Sequence, residues 1–330
     1  MNYRRIMLFL ALAVLGVFLA SIFVGRYPEP YWMPYRVFRE DPLARQLVLK
    51  LRLPRLITAL LLGMVLSAAG AVLQMVFRNP LVEPGFLGVS QGAAFGAAIS
   101  ILWFARHPLV IELSATFFGL LALAGSYFLS TRIRYGGWVL RLILSGVAVS
   151  ALFSAGVGIL KYVADPLTEL PELTFWLLGG LYRVTWRDLL YVLPFGLAGL
   201  AVIYAMRWRI NLLSLNDETA FSLGASLGRE RLVLLVFAVS ATAALTAISG
   251  IIGWIGLIVP HIARRLLGAS SEKSIPAAIL IGGIFSMIAD SLARTLLPGE
   301  IPLGILTSAI GAILFIYLMV SIGIKVRHHV

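Results

Sequence analysis

Residues Leu232 to Ala263 form a run of 32 without one charge, closing on Gly250-Ile-Ile-Gly-Trp-Ile-Gly-Leu-Ile-Val-Pro-His-Ile-Ala-Arg264. A single bilayer crossing takes about 20 apolar residues at roughly 1.5 Å each. The run therefore holds one crossing and part of another, broken by its glycines and Pro260. Broken helices at membrane depth survive only where protein or a water-filled path covers the exposed backbone. Such a chain is built to move something across a bilayer.

Hydrophobic residues make up 60% of the chain and charged residues 13%, against roughly a quarter charged in soluble domains. Eight further charge-free windows are Ile6–Gly25, Leu56–Phe77, Gly85–Ala105, Leu113–Thr131, Leu142–Leu160, Leu189–Met206, Ser274–Ala289 and Ile301–Ile324. Together with the long run they predict about ten membrane helices, so residues 1–330 read as a single all-α membrane domain. Arg4 and Arg5 precede the first window as in a signal peptide. That window is long and lacks a clean A-x-A site, so it reads as an uncleaved first helix. Basic residues gather on alternate loops, among them Arg78, Arg132, Arg207, Arg231 and Arg264. This asymmetry predicts both termini in the cytoplasm. The net charge of +12 then reflects orientation, and nucleic acid is not inferred as a partner.

The chain has no cysteine, which excludes disulfides, thiolate metal ligands and thiol nucleophiles. His107, His261, His328 and His329 lack metal-ligand spacing, and the last two read as a solvated tail. No metal, cofactor or catalytic set is expected. Gly268-Ala-Ser-Ser-Glu-Lys273-Ser lacks the glycine that a Walker A lysine requires before it.

Four segments stand out between the windows. Asp41-Pro42 has the pattern of an N-cap followed by proline at the first helical position. Leu43, Leu47 and Leu51 then share one face of a short helix predicted on the outer surface. It leads into Arg52-Leu-Pro-Arg55, read either as snorkelling arginines or as a basic platform for an acidic partner. Second, Asn79-Pro-Leu-Val-Glu-Pro-Gly-Phe-Leu-Gly-Val-Ser-Gln-Gly-Ala93 follows the second crossing much as the Gly/Pro-rich run follows the seventh. Leu56 and Leu232 are 176 residues apart, as are Pro84 and Pro260. That offset points to two inverted repeats, helices 2–5 and 7–10.

Third, Ser214-Leu-Asn-Asp-Glu-Thr-Ala-Phe-Ser-Leu-Gly224 predicts a two-turn helix capped by Asn216 and ended by Gly224. Asp217 and Glu218 lie where the helix dipole favours negative charge. So short a helix needs a partner surface, unless it is simply an ordered loop. Fourth, Asp290 and Arg294 are spaced as a helical pair, followed by Glu300-Ile-Pro-Leu-Gly304. No acid falls in mid-membrane, which argues against a proton- or sodium-coupled carrier.

These residues are where the chain resembles the permease subunits of type II ATP-binding-cassette importers, the FecCD and cobalamin-permease-like family. The likeness rests on Arg52-Leu-Pro-Arg55, Ala69-Gly-Ala-Val-Leu-Gln74, Arg78-Asn-Pro-Leu81 and Glu83-Pro-Gly-Phe-Leu-Gly-Val-Ser90. It continues through Gly253 to Arg264, Asp290 with Arg294, and Glu300 to Gly304. The resemblance implies ten helices per subunit, a second copy of the chain across a two-fold pathway, two cytoplasmic ATP-binding subunits and an extracytoplasmic binding protein. It implies that Arg52, Arg55 and Arg294 meet acidic residues of the binding protein. By the same resemblance Asp217, Glu218, Ala220 and Gly224 belong to the segment that couples to the ATPase. The fifth helix would line the pathway, with Val139 and Leu140 as the gate and Gly146 among the small residues that let the helix shift. The gate stretch here is Gly136-Gly-Trp-Val-Leu-Arg141, without the small hydroxylated residues of the cobalamin permease.

The expected function is thus passage of a metal chelate, an iron–siderophore or haem, powered by partner ATPases, with no chemistry performed by this chain. Cobalamin, molybdate or tungstate are the alternative cargoes. A stand-alone secondary carrier and an intramembrane enzyme are the rival classes, disfavoured by the missing midplane acid and by the lack of a nucleophile–base set.

Overall fold

The computed structural model describes residues 3–104 and 107–327. Among them are ten long helices: α1 Tyr3–Phe23, α2 Leu53–Val76, α3 Val89–Trp103, α4 Pro108–Arg132, α5 Trp138–Val163, α6 Trp186–Ala205, α7 Leu227–Ser249, α8 Ile255–Leu267, α9 Ser271–Ala293 and α10 Leu303–Arg327. The 32-residue run resolves into α7 and α8, as its length requires. Asn2, His328 and His329 lie outside the described residues.

The two halves repeat a length pattern, long–short–long–long, in α2–α5 and α7–α10. Their packing is reciprocal: α2 lies against α9, and α7 lies against α4. Exchange of the first and third helix between halves is what an inverted repeat produces. Leu56 and Leu232 both fall in opening turns, as the 176-residue offset requires. Pro84 and Pro260 do not correspond: Pro84 opens a 3₁₀ turn, Pro84–Leu87, whereas Pro260 lies inside α8.

The helix survives Pro260 for an identifiable reason. A proline frees the carbonyl four residues earlier, here Gly256, and the Gln74 side chain donates Nε2–H to that oxygen at 3.2 Å. The break sits earlier, where Gly250 (φ +67°) and Trp254 (φ +72°) hold left-handed backbone. At 15 and 13 residues, α3 and α8 reach only about 20 Å, short of the roughly 30 Å hydrocarbon core. Irregular segments lead into both: the one before α8 has no exposed residue from Gly250 to Trp254, as backbone at membrane depth requires, whereas Leu81 and Phe86 stand exposed before α3.

Helix α2 is the centre of the bundle. Its apolar window is 83% buried, against 22% for α5. Glycines permit that density: a Cβ on Gly63 would collide with the Gly282 carbonyl of α9, and one on Gly70 with the Gly256 carbonyl of α8. Helix α1 packs on α9 as part of the same bundle.

Several shorter elements depart from the sequence reading. Asp41 caps Pro42–Gln46 as expected, accepting from the Leu43 N–H at 2.8 Å. That helix is not a separate surface piece, because a π turn, Leu47–Arg52, runs it directly into α2. Its buried stripe is Ala44, Val48 and Arg52, while Leu43 and Leu51 are exposed. The core contact with Met33 selects the alanine–valine stripe over the leucines. A helix at Glu169–Leu178 and a two-residue antiparallel bridge, Val24–Gly25 with Tyr31–Trp32, were not legible as windows. The acids within spanning helices, such as Glu112, Asp188, Glu230 and Asp290, lie near helix ends. Outside the helices, Glu83 accepts from the Trp254 N–H at 3.1 Å in a cavity it shares with Leu66, midway along α2, a carboxylate the sequence reading did not place at that depth.

Candidate functional site

Two ends of the bundle and one helix face carry the candidate residues. At the end where α2 begins and α9 finishes, Arg52, Arg55 and Arg294 converge on a cavity of about 360 Å³ that Arg26, Tyr182 and Glu300 also line. The swapped packing of α2 on α9 brings these distant positions together. All three expected arginines are buried, so none forms a free platform. Arg52 donates to the Ile22 and Tyr27 carbonyls at 3.1 and 3.3 Å. Arg55 donates Nε–H to Asp290 Oδ1 at 2.8 Å and Nη1–H to Glu300 at 2.8 and 2.9 Å. Arg294 donates to the Ser21 carbonyl at 2.8 Å and lies 3.5 Å from Asp290.

The helical pair Asp290–Arg294 is therefore secondary; the closer partner of Asp290 is Arg55, from another helix. Snorkelling to solvent does not describe these side chains either. Arginines outnumber carboxylates around the cavity, and among the described residues Arg52 has only backbone carbonyls as acceptors. The surplus positive charge suits an incoming carboxylate. Arg26, which donates to the Thr295 carbonyl at 2.9 Å, and the internal role of Glu300 escaped the sequence reading, although Glu300 stood in a motif.

At the opposite end, Asp217–Ser222 forms the short helix. Asn216 precedes it but makes no side-chain cap. Asp217 is instead held by Arg78 and Arg231 at 2.6 and 2.8 Å, and the Arg231 hydrogen bond leads the causes that keep its carboxyl below the ordinary 3.8. Ala220 is fully buried and anchors the helix. Gly224 ends it in left-handed backbone (φ +81°), while the Ala225 N–H returns to the Ala220 carbonyl at 3.0 Å. A Cβ at Gly224 would meet nothing within 4 Å. Glu218 is exposed, and beside it Phe221 is 75% exposed, with Leu223 also outward. Phe221 on the helix and Leu223 just past it are thus two bare apolar side chains; the sequence reading had stopped at the charged and small residues.

Helix α5 presents an exposed face of Leu144, Ala148, Ala151, Leu152, Ala155 and Ile159. Leu140 lies on the exposed side, whereas Val139 packs against the cluster around Leu73 and Leu142. Gly146 is buried, and its missing side chain admits the Phe86 carbonyl. Its role is close packing against the Pro84–Leu87 turn, away from the exposed face. Among the described residues no cluster of three metal-ligating side chains occurs.

A bundle of spanning helices in two interlocked repeats, with a charged cavity at one end, a short helix with a bare apolar side chain at the other and a thinly covered helix between, is the frame of a membrane permease. The chain belongs to the FecCD transport family, whose profile matches residues 11–321. It is 37% identical to the molybdate import system permease MolB of Haemophilus influenzae, over 95% of both chains. It is 40% identical to a probable iron chelatin transport system permease of Helicobacter pylori, over 83% of this chain and 82% of that one. A solved structure titled an inward-facing conformation of a putative metal-chelate type ABC transporter superposes with a TM-score of 0.89 at 37% identity, covering 96% of this chain and 99% of that one. The protein is thus an ABC importer permease of type II fold. A permease subunit of this kind is not itself an enzyme, and ATP hydrolysis lies on partner subunits.

Proposed function

We propose that this permease passes a metal chelate, an iron–siderophore or haem, from an extracytoplasmic binding protein into the cytoplasm, driven by two ATP-binding subunits. In this reading two copies pair across the inner membrane with both termini cytoplasmic. The cavity of Arg52, Arg55 and Arg294 takes an acidic side chain of the binding protein. The Asp217–Ser222 helix, with Asp217, Glu218, Ala220 and Gly224, seats in the ATPase. Leu140, beside Val139, closes the inner end of the pathway along α5.

The observation that carries the cargo class is the exposed α5 face, which has no charged residue between Leu142 and Leu160. Such a wall suits a bulky ligand enclosed by apolar contact and offers no cation to hold a small oxyanion. One specific observation favours a second reading: likeness to the molybdate permease extends over 95% of both chains. Uptake of radiolabelled ferric siderophore, haem and molybdate, measured in cells that lack their own carriers and express the whole transporter, separates the two. Chelate uptake is expected; uptake of molybdate alone would establish the second reading.

A further inference from the structure

The end of the bundle that carries the Asp217–Ser222 helix holds a chain of contacts that the docking, coupling and gate assignments leave unused. Asp217 receives two hydrogen bonds from Arg231, at 2.8 Å on Oδ1 and 3.2 Å on Oδ2, besides the one from Arg78. Arg231 stands in the opening turns of α7 and is 5% exposed. Its Nε is buried without a partner, and among the described residues Asp217 is its one hydrogen-bond acceptor. The Arg231 guanidinium also lies 4.9 Å from the centroid of the Trp138 ring. Trp138 is the first residue of α5, and its indole stacks on Phe77, just past α2, at 5.8 Å and 14°.

Each link resists being broken. Asp217 is 54% exposed and can rehydrate, but the Arg231 side chain, 6% exposed, would be left buried without a carboxylate, which is unfavourable. Its second neighbour is an aromatic face, an attraction that strengthens as water is excluded. The indole is rigid and fixed to the first turn of α5. When Asp217 moves, Arg231 follows the one acceptor it holds among the described residues, so the displacement passes to the ring and thence to the helix. Arg78, whose side chain is 37% exposed, is free to rehydrate and makes a weaker tie.

We propose that Arg231 and Trp138 are positioning residues that carry the movement of the Asp217–Ser222 helix to the beginning of α5, so that the ATPase state sets the position of Leu140. The inference rests on the reading of that helix as the ATPase contact. Coupling through packed networks is established only by measuring it, and the intact transporter in proteoliposomes, with ATPase and binding protein, allows that.

Trp138→Ala should leave ATP hydrolysis without binding protein near the wild-type rate. Substrate moved per ATP should fall roughly 2- to 30-fold, the range that network mutations impose on coupling. Trp138→Phe retains a ring for the guanidinium and should restore the ratio. Spin labels at Leu140→Cys should report a nucleotide-dependent change in distance between the two copies that Trp138→Ala abolishes. Should Trp138→Ala not insert, Trp138→Leu keeps bulk without a π face and is read in the same way. A transport ratio within about twofold of wild type, with the label response intact, would overturn the relay. A Phe221→Cys cross-link to the ATPase reports the underlying contact. If it forms while the ratio is unchanged, only the relay fails; if it is absent in an otherwise wild-type transporter, the contact reading fails as well.

Discussion

Removing the Asp290 charge, by Asp290→Asn, is the most informative perturbation of the arginine cavity. Asp290 is fully buried and receives Arg55 Nε–H at 2.8 Å, with Arg294 Nε at 3.5 Å. Without it, Arg55 keeps only Glu300, and Arg294 keeps the Ser21 carbonyl and the Ser291 hydroxyl. Breaking one side of a buried ion pair costs about 3–5 kcal/mol. Glu300 still engages Arg55, and asparagine retains an acceptor oxygen, so the loss belongs near the lower end, about 3 kcal/mol. Glu300 makes a bond of equal length to the same arginine but is 43% exposed, so Glu300→Gln should cost under about 1 kcal/mol. Unfolding of the detergent-solubilised protein by heat or denaturing surfactant ranks the two variants. Equal losses, or no loss in Asp290→Asn, would refute the claim that burial rather than contact distance sets the strength of this network. Replacing Arg55 and Asp290 together by apolar residues of similar volume should recover much of the stability while still abolishing binding-protein docking.

Three further outcomes follow from the geometry. Gln74→Leu leaves the Gly256 and Leu257 carbonyls without the side-chain donor, and unfolding measurements should show a loss of about 1–3 kcal/mol. Gly224→Val forces a β-branched residue to φ +81°, a strain of about 1–3 kcal/mol that should reshape the end of the contact helix; membrane insertion should persist while transport and ATPase association fall. A cysteine at Leu140 should cross-link to its twin in the inner-closed state, whereas one at Val139, which packs inward, should do so far less. Equal cross-linking at both positions would contradict the side assigned to each.

How much of this was legible in the sequence depends on the kind of signal. Spans announce themselves because a helix in lipid needs an unbroken apolar stretch, so the windows located the ten long helices and the broken α7–α8 run. Glu169–Leu178 was missed because Glu169 and Glu172 interrupt its apolar stretch. The cap at Asp41 and the left-handed end at Gly224 were readable from residue type. The burial stripe of the segment before α2 was not, since leucine spacing alone cannot reveal that Met33 selects Ala44 and Val48. Pro260 read as a break because the sequence does not show that Gln74, far away in the chain, satisfies the carbonyl it frees. The three arginines were found as a motif. Their burial, and the internal carboxylates that hold Arg55, depend on the packing of α2 against α9, which no local pattern encodes. Trp138 was read only as part of the gate stretch and Arg231 only as an orienting charge; their contact depends on packing in the same way.

The most direct test of the account is uptake by proteoliposomes containing the permease with its ATPase subunits, supplied with the loaded binding protein. The account predicts accumulation of a metal chelate that requires internal ATP and stops when the ATPase is disabled. Uptake that persists without the ATPase, or that follows an imposed proton or sodium gradient in the absence of ATP, would contradict it.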